Sequence, residues 1–119
     1  MQPHERGILS EDIAADYLRA HGWCVLERRY RVNRKEIDII ARQCDTVAFV
    51  EVKARAGRGY GHPLEAVTWK KRREIEHVAR AWIARFGSAR LHYRFDAIAI
   101  TWNGNSHTLE HVEHAWLQR

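Results

Sequence analysis

The sequence predicts an α/β fold, a central mixed β-sheet flanked by helices in the order αβββαββ. Three observations carry this reading. Three strand-like segments follow one another between residues 23 and 54, a long apolar stripe at helical spacing comes next, and two more extended segments close the chain. Three strands in a meander followed by a helical crossover put antiparallel and parallel pairs into one sheet.

Taken in order, residues 8–21 read as a helix. Ile13, Ala14, Tyr17, Leu18 and His21 form one stripe, and Gly22 stands where a C-terminal cap belongs. Trp23 to Tyr30 reads as the first strand, 35–42 as the second and 47–54 as the third. Residues 56–63, Ala-Gly-Arg-Gly-Tyr-Gly-His-Pro, form a Gly-rich loop that lacks the Walker lysine and is no P-loop. A second helix starts between Leu64 and Trp69 and runs to Phe86, with Gly87 as its stop. Its inward stripe is Ile75, Val78, Ala79, Trp82, Ile83 and Phe86. One turn further back the stripe reaches Lys71, while Lys70, Arg72, Arg73 and Arg80 fall on or near the outer face. Arg94 to Trp102 reads as a fourth strand, Asn103-Gly104-Asn105 as a turn, and Thr108 to His114 as a short last strand. Most of the five tryptophans belong to the core, with Trp69 expected at the surface.

The 119 residues suit a single domain, 1–119, with its own core. Apolar content of 45% and charged content of 29% are ordinary for a globular protein. No apolar run has the length of a membrane span and no signal peptide precedes the first helix, so a cytoplasmic location and no membrane partner are expected. Cys24 and Cys44 show no CxxC pattern, which favours free thiols in a reducing compartment. The net charge of +5 is what a protein meeting phosphates needs.

Charge inside the second and third strands is the informative feature. Glu36-Ile37-Asp38-Ile39-Ile40 and Phe49-Val50-Glu51-Val52-Lys53 place acids and a lysine where a buried strand is otherwise apolar. Such groups are costly unless paired or bound to an ion. A two-residue loop at Cys44-Asp45, or a four-residue loop around it, sets Asp38 opposite Glu51 and Glu36 opposite Lys53. Opposed side chains lie about 4.5–5.5 Å apart at Cβ, close enough for two carboxylates to hold one ion, since Mg–O bonds are about 2.0–2.1 Å. The other face then carries Ile37, Ile39, Ala41, Ala48, Val50 and Val52. The chemistry that fits is metal-assisted phosphodiester hydrolysis. The register also predicts a Glu36–Lys53 ion pair.

Asp38 followed by Glu51-Val52-Lys53 on the next strand resembles the PD-(D/E)xK nuclease superfamily. Within it, the chain is similar to the YraN-type family of uncharacterised bacterial proteins. The likeness covers nearly the whole length: Gly7 and Glu11, Tyr17-Leu18 and Gly22, Glu36 to Ile40, Phe49 to Arg55, Ala66-Val67-Thr68 with Lys71, and Arg94-Phe95-Asp96. Lys35 and Ser10 stand where the family usually has Gly, and Arg29 where it usually has Asn. The resemblance implies a restriction-endonuclease-like fold similar to archaeal Holliday-junction resolvases. It implies Mg²⁺, with Mn²⁺ as a substitute, held by Asp38, Glu51 and the backbone carbonyl of Val52. In related resolvases a helix carboxylate completes the set, a place that Glu11 would fill here.

Lys53 is then expected to orient or activate the attacking water and to stabilise charge developing on phosphate, with Glu36 and Lys71 as auxiliary groups. Arg55, Arg58 and Tyr60 on the loop, with Lys70, Arg72 and Arg73, are candidates for gripping a nucleic-acid backbone. His107, His111 and His114 have helical spacing in a segment that reads as extended, which counts against zinc there. The expectation is a Mg²⁺-dependent DNA endonuclease acting on structures such as junctions or flaps. A homodimer is implied if cutting is symmetric, and a protein partner is a further expectation. The alternatives are a non-catalytic DNA-binding or recombination-partner module of nuclease fold, and an RNA-directed nuclease. Nothing in the sequence separates RNA from DNA, since it has neither an RNP motif nor an aromatic stacking platform.

Overall fold

The computed structural model describes residues 2–57 and 61–117. Its elements are α1 (Pro3–Ala20), β1 (Cys24–Val32), β2 (Lys35–Gln43), β3 (Thr46–Ala56), a 3₁₀ turn (Pro63–Ala66), α2 (Trp69–Phe86), β4 (His92–Asn103) and β5 (Ser106–Trp116). The strands form one five-stranded sheet in the order β1-β2-β3-β4-β5. β3 and β4 pair in parallel across the α2 crossover, and all other neighbours are antiparallel. This is the mixed αβββαββ architecture of a restriction-endonuclease-like fold.

The helices cover opposite faces of the sheet. Ala14, Ala15 and Leu18 of α1 pack on Ile39, Ala41, Ala48, Val50, Ile98 and Ile100. On the other face Ile75, Val78 and Trp82 of α2 pack on Ile40, Val47, Phe49 and Phe95. Phe49 is fully buried and meets Trp82 edge-on at 5.8 Å. Each large apolar side chain buried this way contributes about 1.5–3 kcal/mol.

Helix α1 begins at Pro3, five residues before the sequence reading placed it. A proline fits the first helical turn, where its missing N–H has no helical acceptor to lose. The buried positions of α1 are Ser10, Glu11, Ala14, Ala15 and Leu18, whereas His21 is exposed. The inward stripe is therefore rotated from the expected one and carries two polar residues. Ser10 belongs there because its Oγ accepts a 2.8 Å hydrogen bond from Trp102 Nε1, which ties α1 to β4. Helix α2 starts behind Thr68, whose hydroxyl accepts from Lys71 N at 3.1 Å. Phe86, expected inside, lies half exposed at the helix end.

β5 is an eleven-residue edge strand rather than a short one. A two-residue turn at Gly104-Asn105 joins it to β4. Four tryptophans are buried and Trp69 is 52% exposed, as expected. Cys24 and Cys44 are exposed free thiols. No helix among the described residues is long and apolar enough to cross a membrane.

Candidate active site

The β2–β3 register is the one the sequence predicts, with Gln43 opposite Thr46, Arg42 opposite Val47 and Ile39 opposite Val50. The ladder then stops, one residue before Asp38 and Glu51 would pair. In place of a strand partner, Val52 N donates to Asp38 Oδ2 at 2.8 Å. A residue in an extended strand directs its N–H and C=O to the same side, so the Val52 carbonyl is turned toward the edge where Asp38 sits.

Alternation breaks beside this point in β1 and in β2. Arg29 has φ 52, a left-handed backbone that asparagine adopts more readily than arginine. Consecutive side chains should leave on opposite faces, yet Arg28 and Arg29 both bond Glu11. In β2, Ile37, opposite Tyr30, packs with Ile40 and Phe49, while Ile39, opposite Arg28, packs on the α1 side. The expectation that Ile37 and Ile39 share a face is thereby corrected: the slip at Asp38 lets its carboxylate reach β3.

Glu51 is 8% exposed and lines one cavity with Asp38. Burial and the Asp38 carboxylate push Glu51 up to about 10, against a smaller opposing pull from Lys71 and Lys53. Lys71 Nζ stands 3.7 Å from Glu51 Oε2, as its place on the inner edge of α2 allows. Lys53 is exposed and lines the same cavity, about 380 Å³, with Asp38, Glu51, Val52, Thr68 and Lys71. A second cavity of about 430 Å³ opens on the α1 side, lined by Glu11, Arg29, Arg31, Glu36, Asp38 and Val52 among others. Asp38 and Val52 therefore form the wall between two polar cavities. Thr68, which sequence reasoning passed over, was marked by a Thr directly ahead of a helical stripe.

Several expected roles change. Glu36 pairs with Arg31 at 3.0 Å rather than with Lys53, because the ladder that would oppose them ends at Ile39. Glu11 is occupied by Arg28 (3.4 Å) and Arg29 (3.2 Å), and no group of three or more His, Cys, Asp or Glu converges on a metal position among the described residues. Asp38, Glu51 and the Val52 carbonyl are the oxygen groups that remain at this point of the sheet.

Arg72 is buried, not on the outer face. Its Nε donates to Val67 O at 2.9 Å and its Nη2 to Leu64 O at 3.1 Å, clamping the 3₁₀ turn to α2. Arg55 is also buried, at the end of β3 rather than on a loop, and bonds Thr101 Oγ1 and Gly61 O. Lys70 and Arg73 are exposed on α2. Arg58 and Tyr60 lie outside the described residues.

His111 lies in an extended strand and is spent on Asp96. That carboxylate is fully buried and accepts from His111 Nε2 (2.7 Å), Arg94 Nε (3.0 Å) and His114 N (3.0 Å). The cluster closes the irregular β4–β5 pairing between Phe95 and Ala97.

The model of the uncharacterised protein family UPF0102 matches residues 10–100. A UPF0102 protein of Chlorobium phaeobacteroides is 50% identical over 98 residues, covering 82% of this chain and 77% of its own. One from Prosthecochloris aestuarii is 46% identical over 102 residues, covering 86% and 80%. One from Geobacter metallireducens is 41% identical over 110 residues, covering 92% and 90%. With the family model spanning the sheet core and both carboxylates, and relatives of this identity matching along most of their length, the chain belongs to the uncharacterised protein family UPF0102.

Proposed function

We propose that this protein is a Mg²⁺-dependent endonuclease that hydrolyses phosphodiester bonds in DNA, with structured DNA such as flaps or junctions as substrate. The observation that carries the reading is the buried Glu51 beside Asp38 at the point where β2 and β3 part. Two such carboxylates repel each other when both are ionised, and without a cation burial and Asp38 hold Glu51 in its protonated form up to about 10. A divalent cation between them turns that repulsion into attraction, and Asp38 already has one oxygen engaged by Val52 N, leaving the other for an ion. Asp38, Glu51 and the Val52 carbonyl are hard oxygen donors, the type Mg²⁺ selects, and so few protein ligands suit an ion that keeps several waters. When bound, Mg²⁺ supplies charge to polarise the scissile phosphate and to acidify water.

The remaining roles fall to the chain itself. Lys53, exposed in the cavity next to Glu51, orients the water and stabilises charge on the phosphate oxygens. Lys71 balances the charge of Glu51 before substrate arrives. Lys70 and Arg73 follow on the exposed side of α2 and contact flanking phosphates. A module that only binds DNA has no use for a destabilising carboxylate pair, so the non-catalytic reading is set aside.

The test is cleavage of labelled duplex, single strand, flap, four-way junction and structured RNA in Mg²⁺, Mn²⁺ or EDTA. Wild type is expected to cut DNA in Mg²⁺ or Mn²⁺ only, and Asp38→Ala and Lys53→Ala are each expected to lose cutting. Failure of wild type to cut any substrate, with salt-sensitive binding intact in both variants, would return the protein to the binding-module class.

A further inference from the structure

We infer, building on the nuclease reading, that the outer side of α2 and the tip of the β1–β2 hairpin form one basic surface. Its occupant is a double-stranded arm of the DNA, gripped by its phosphates.

Lys70, Arg73, His77 and Arg80 follow one another in α2 at steps of three, four and three residues, which sets them in one row along the helix. The row is turned away from the sheet. Lys70, Arg73 and Arg80 are exposed and His77 is partly so, whereas Ile75, Val78 and Trp82 are buried. Of the acids in this stretch, Glu74 lies to one side of the row and Glu76 is buried. At about 1.5 Å per residue the row is about 15 Å long. It starts next to Lys71, which lines the carboxylate cavity. Further along, Asn33 Nδ2 lies 3.5 Å from His77 Nε2, which sets the tip of the β1–β2 hairpin beside the helix.

Val32 pairs with Lys35, which leaves Asn33-Arg34 as a two-residue turn. Such turns favour Asn-Gly, because both residues need a positive φ. Here Asn33 has φ 51 and Arg34 φ 67. An exposed arginine thus occupies the place that suits glycine, and Lys35 follows it. Among the described residues no carboxylate pairs with Arg34, Lys35, Lys70, Arg73 or Arg80, whereas Arg19, Arg28, Arg29, Arg31 and Arg94 each have one. Like charges left together repel one another within the fold and attract a polyanion. The row from Lys70 to Arg80 holds no Trp, Tyr or Phe for a base to stack on, so it meets phosphates rather than bases. Charges fixed on two elements suit a duplex, whose backbones keep a regular course, better than a single strand that must be ordered on binding. At about 3.4 Å per base pair, the row spans roughly four pairs.

The experiment measures binding of the whole chain to a labelled flap DNA in EDTA over a series of salt concentrations. Arg34→Gly and Arg80→Gln are each expected to weaken binding about eightfold near 0.1 M salt and to lower the slope of log affinity against log salt by about 0.9, the effect of one phosphate contact. Arg34→Gly is expected to do so while melting at or above the wild-type temperature, since glycine relaxes the turn. Arg19→Gln removes the same charge from α1, on the other face of the sheet, and is expected to bind as wild type does. An unchanged slope in either Arg34→Gly or Arg80→Gln overturns the proposal, as does an equal loss in Arg19→Gln. The two readings fail separately. Metal-dependent cutting of flaps with both slopes unchanged removes the surface alone, and a wild type that binds no DNA removes both.

Discussion

Replacing Glu51 by glutamine should make the protein more stable, and the gain should grow with pH. Glu51 is raised from 4.5 to about 10, first by burial and then by Asp38. A carboxyl raised in the fold binds more protons folded than unfolded between those two values, so stability falls as pH rises through that window. The cost at a given pH depends on how far that pH lies above 4.5, provided the folded value is higher still. At pH 7 it comes to about 3 kcal/mol. Glutamine keeps the shape, can donate to Asp38 and does not titrate. It loses little at Lys71, because Glu51 is itself uncharged in the fold across this pH range and makes no ion pair there. Urea unfolding of wild type and Glu51→Gln at pH 5.5, 7 and 8.5, without divalent metal, measures the difference. The two should agree near pH 5 and separate steadily above it. Parallel curves, or a variant less stable at pH 8.5, would refute the claim that Glu51 is held against its charge.

Other perturbations give further expected outcomes. In the same titration Mg²⁺ should stabilise wild type more at pH 8.5 than at pH 5.5, because the ion favours the ionised carboxylate, and should leave Glu51→Gln little changed. Asp96→Ala leaves Arg94 and His111 without their buried partner and should cost about 3–5 kcal/mol, read as a shifted urea midpoint. Thr68→Ala removes the α2 cap and should cost about 1 kcal/mol, while Thr68→Ser should restore most of it. Gly22→Ala should destabilise, since φ is +88 there and a Cβ would sit 2.9 Å from Gln43 Nε2; thermal melting decides it.

The parts of the fold set by local pattern were legible in the sequence. The β2–β3 register from Ile39–Val50 to Gln43–Thr46, the two-residue turn at Cys44-Asp45 and the α2 stripe from Ile75 to Trp82 each follow from nearby residues, and each stands where expected. What escaped depended on contacts between distant segments. Arg72 reads as a surface residue until the carbonyls of Leu64 and Val67 are seen to face it. Glu11 reads as a spare carboxylate until Arg28 and Arg29 arrive on the same face, which requires a positive φ that no propensity assigns to arginine. The same slip ends the β2–β3 ladder, so the expected opposition of Glu36 and Lys53 fails although the register itself is right.

The hydrogen bond from Val52 N to Asp38 has a use beyond geometry. Most amides of a central strand are shielded by a neighbouring main chain and report only on global unfolding. The Val52 amide is instead bonded to a single side chain, the Asp38 carboxylate. Its proton resonance and its exchange with solvent should therefore follow the state of that carboxylate while the rest of β3 stays silent. The fold thus contains, at one backbone position, a built-in reporter for anything that occupies the space between its two acids.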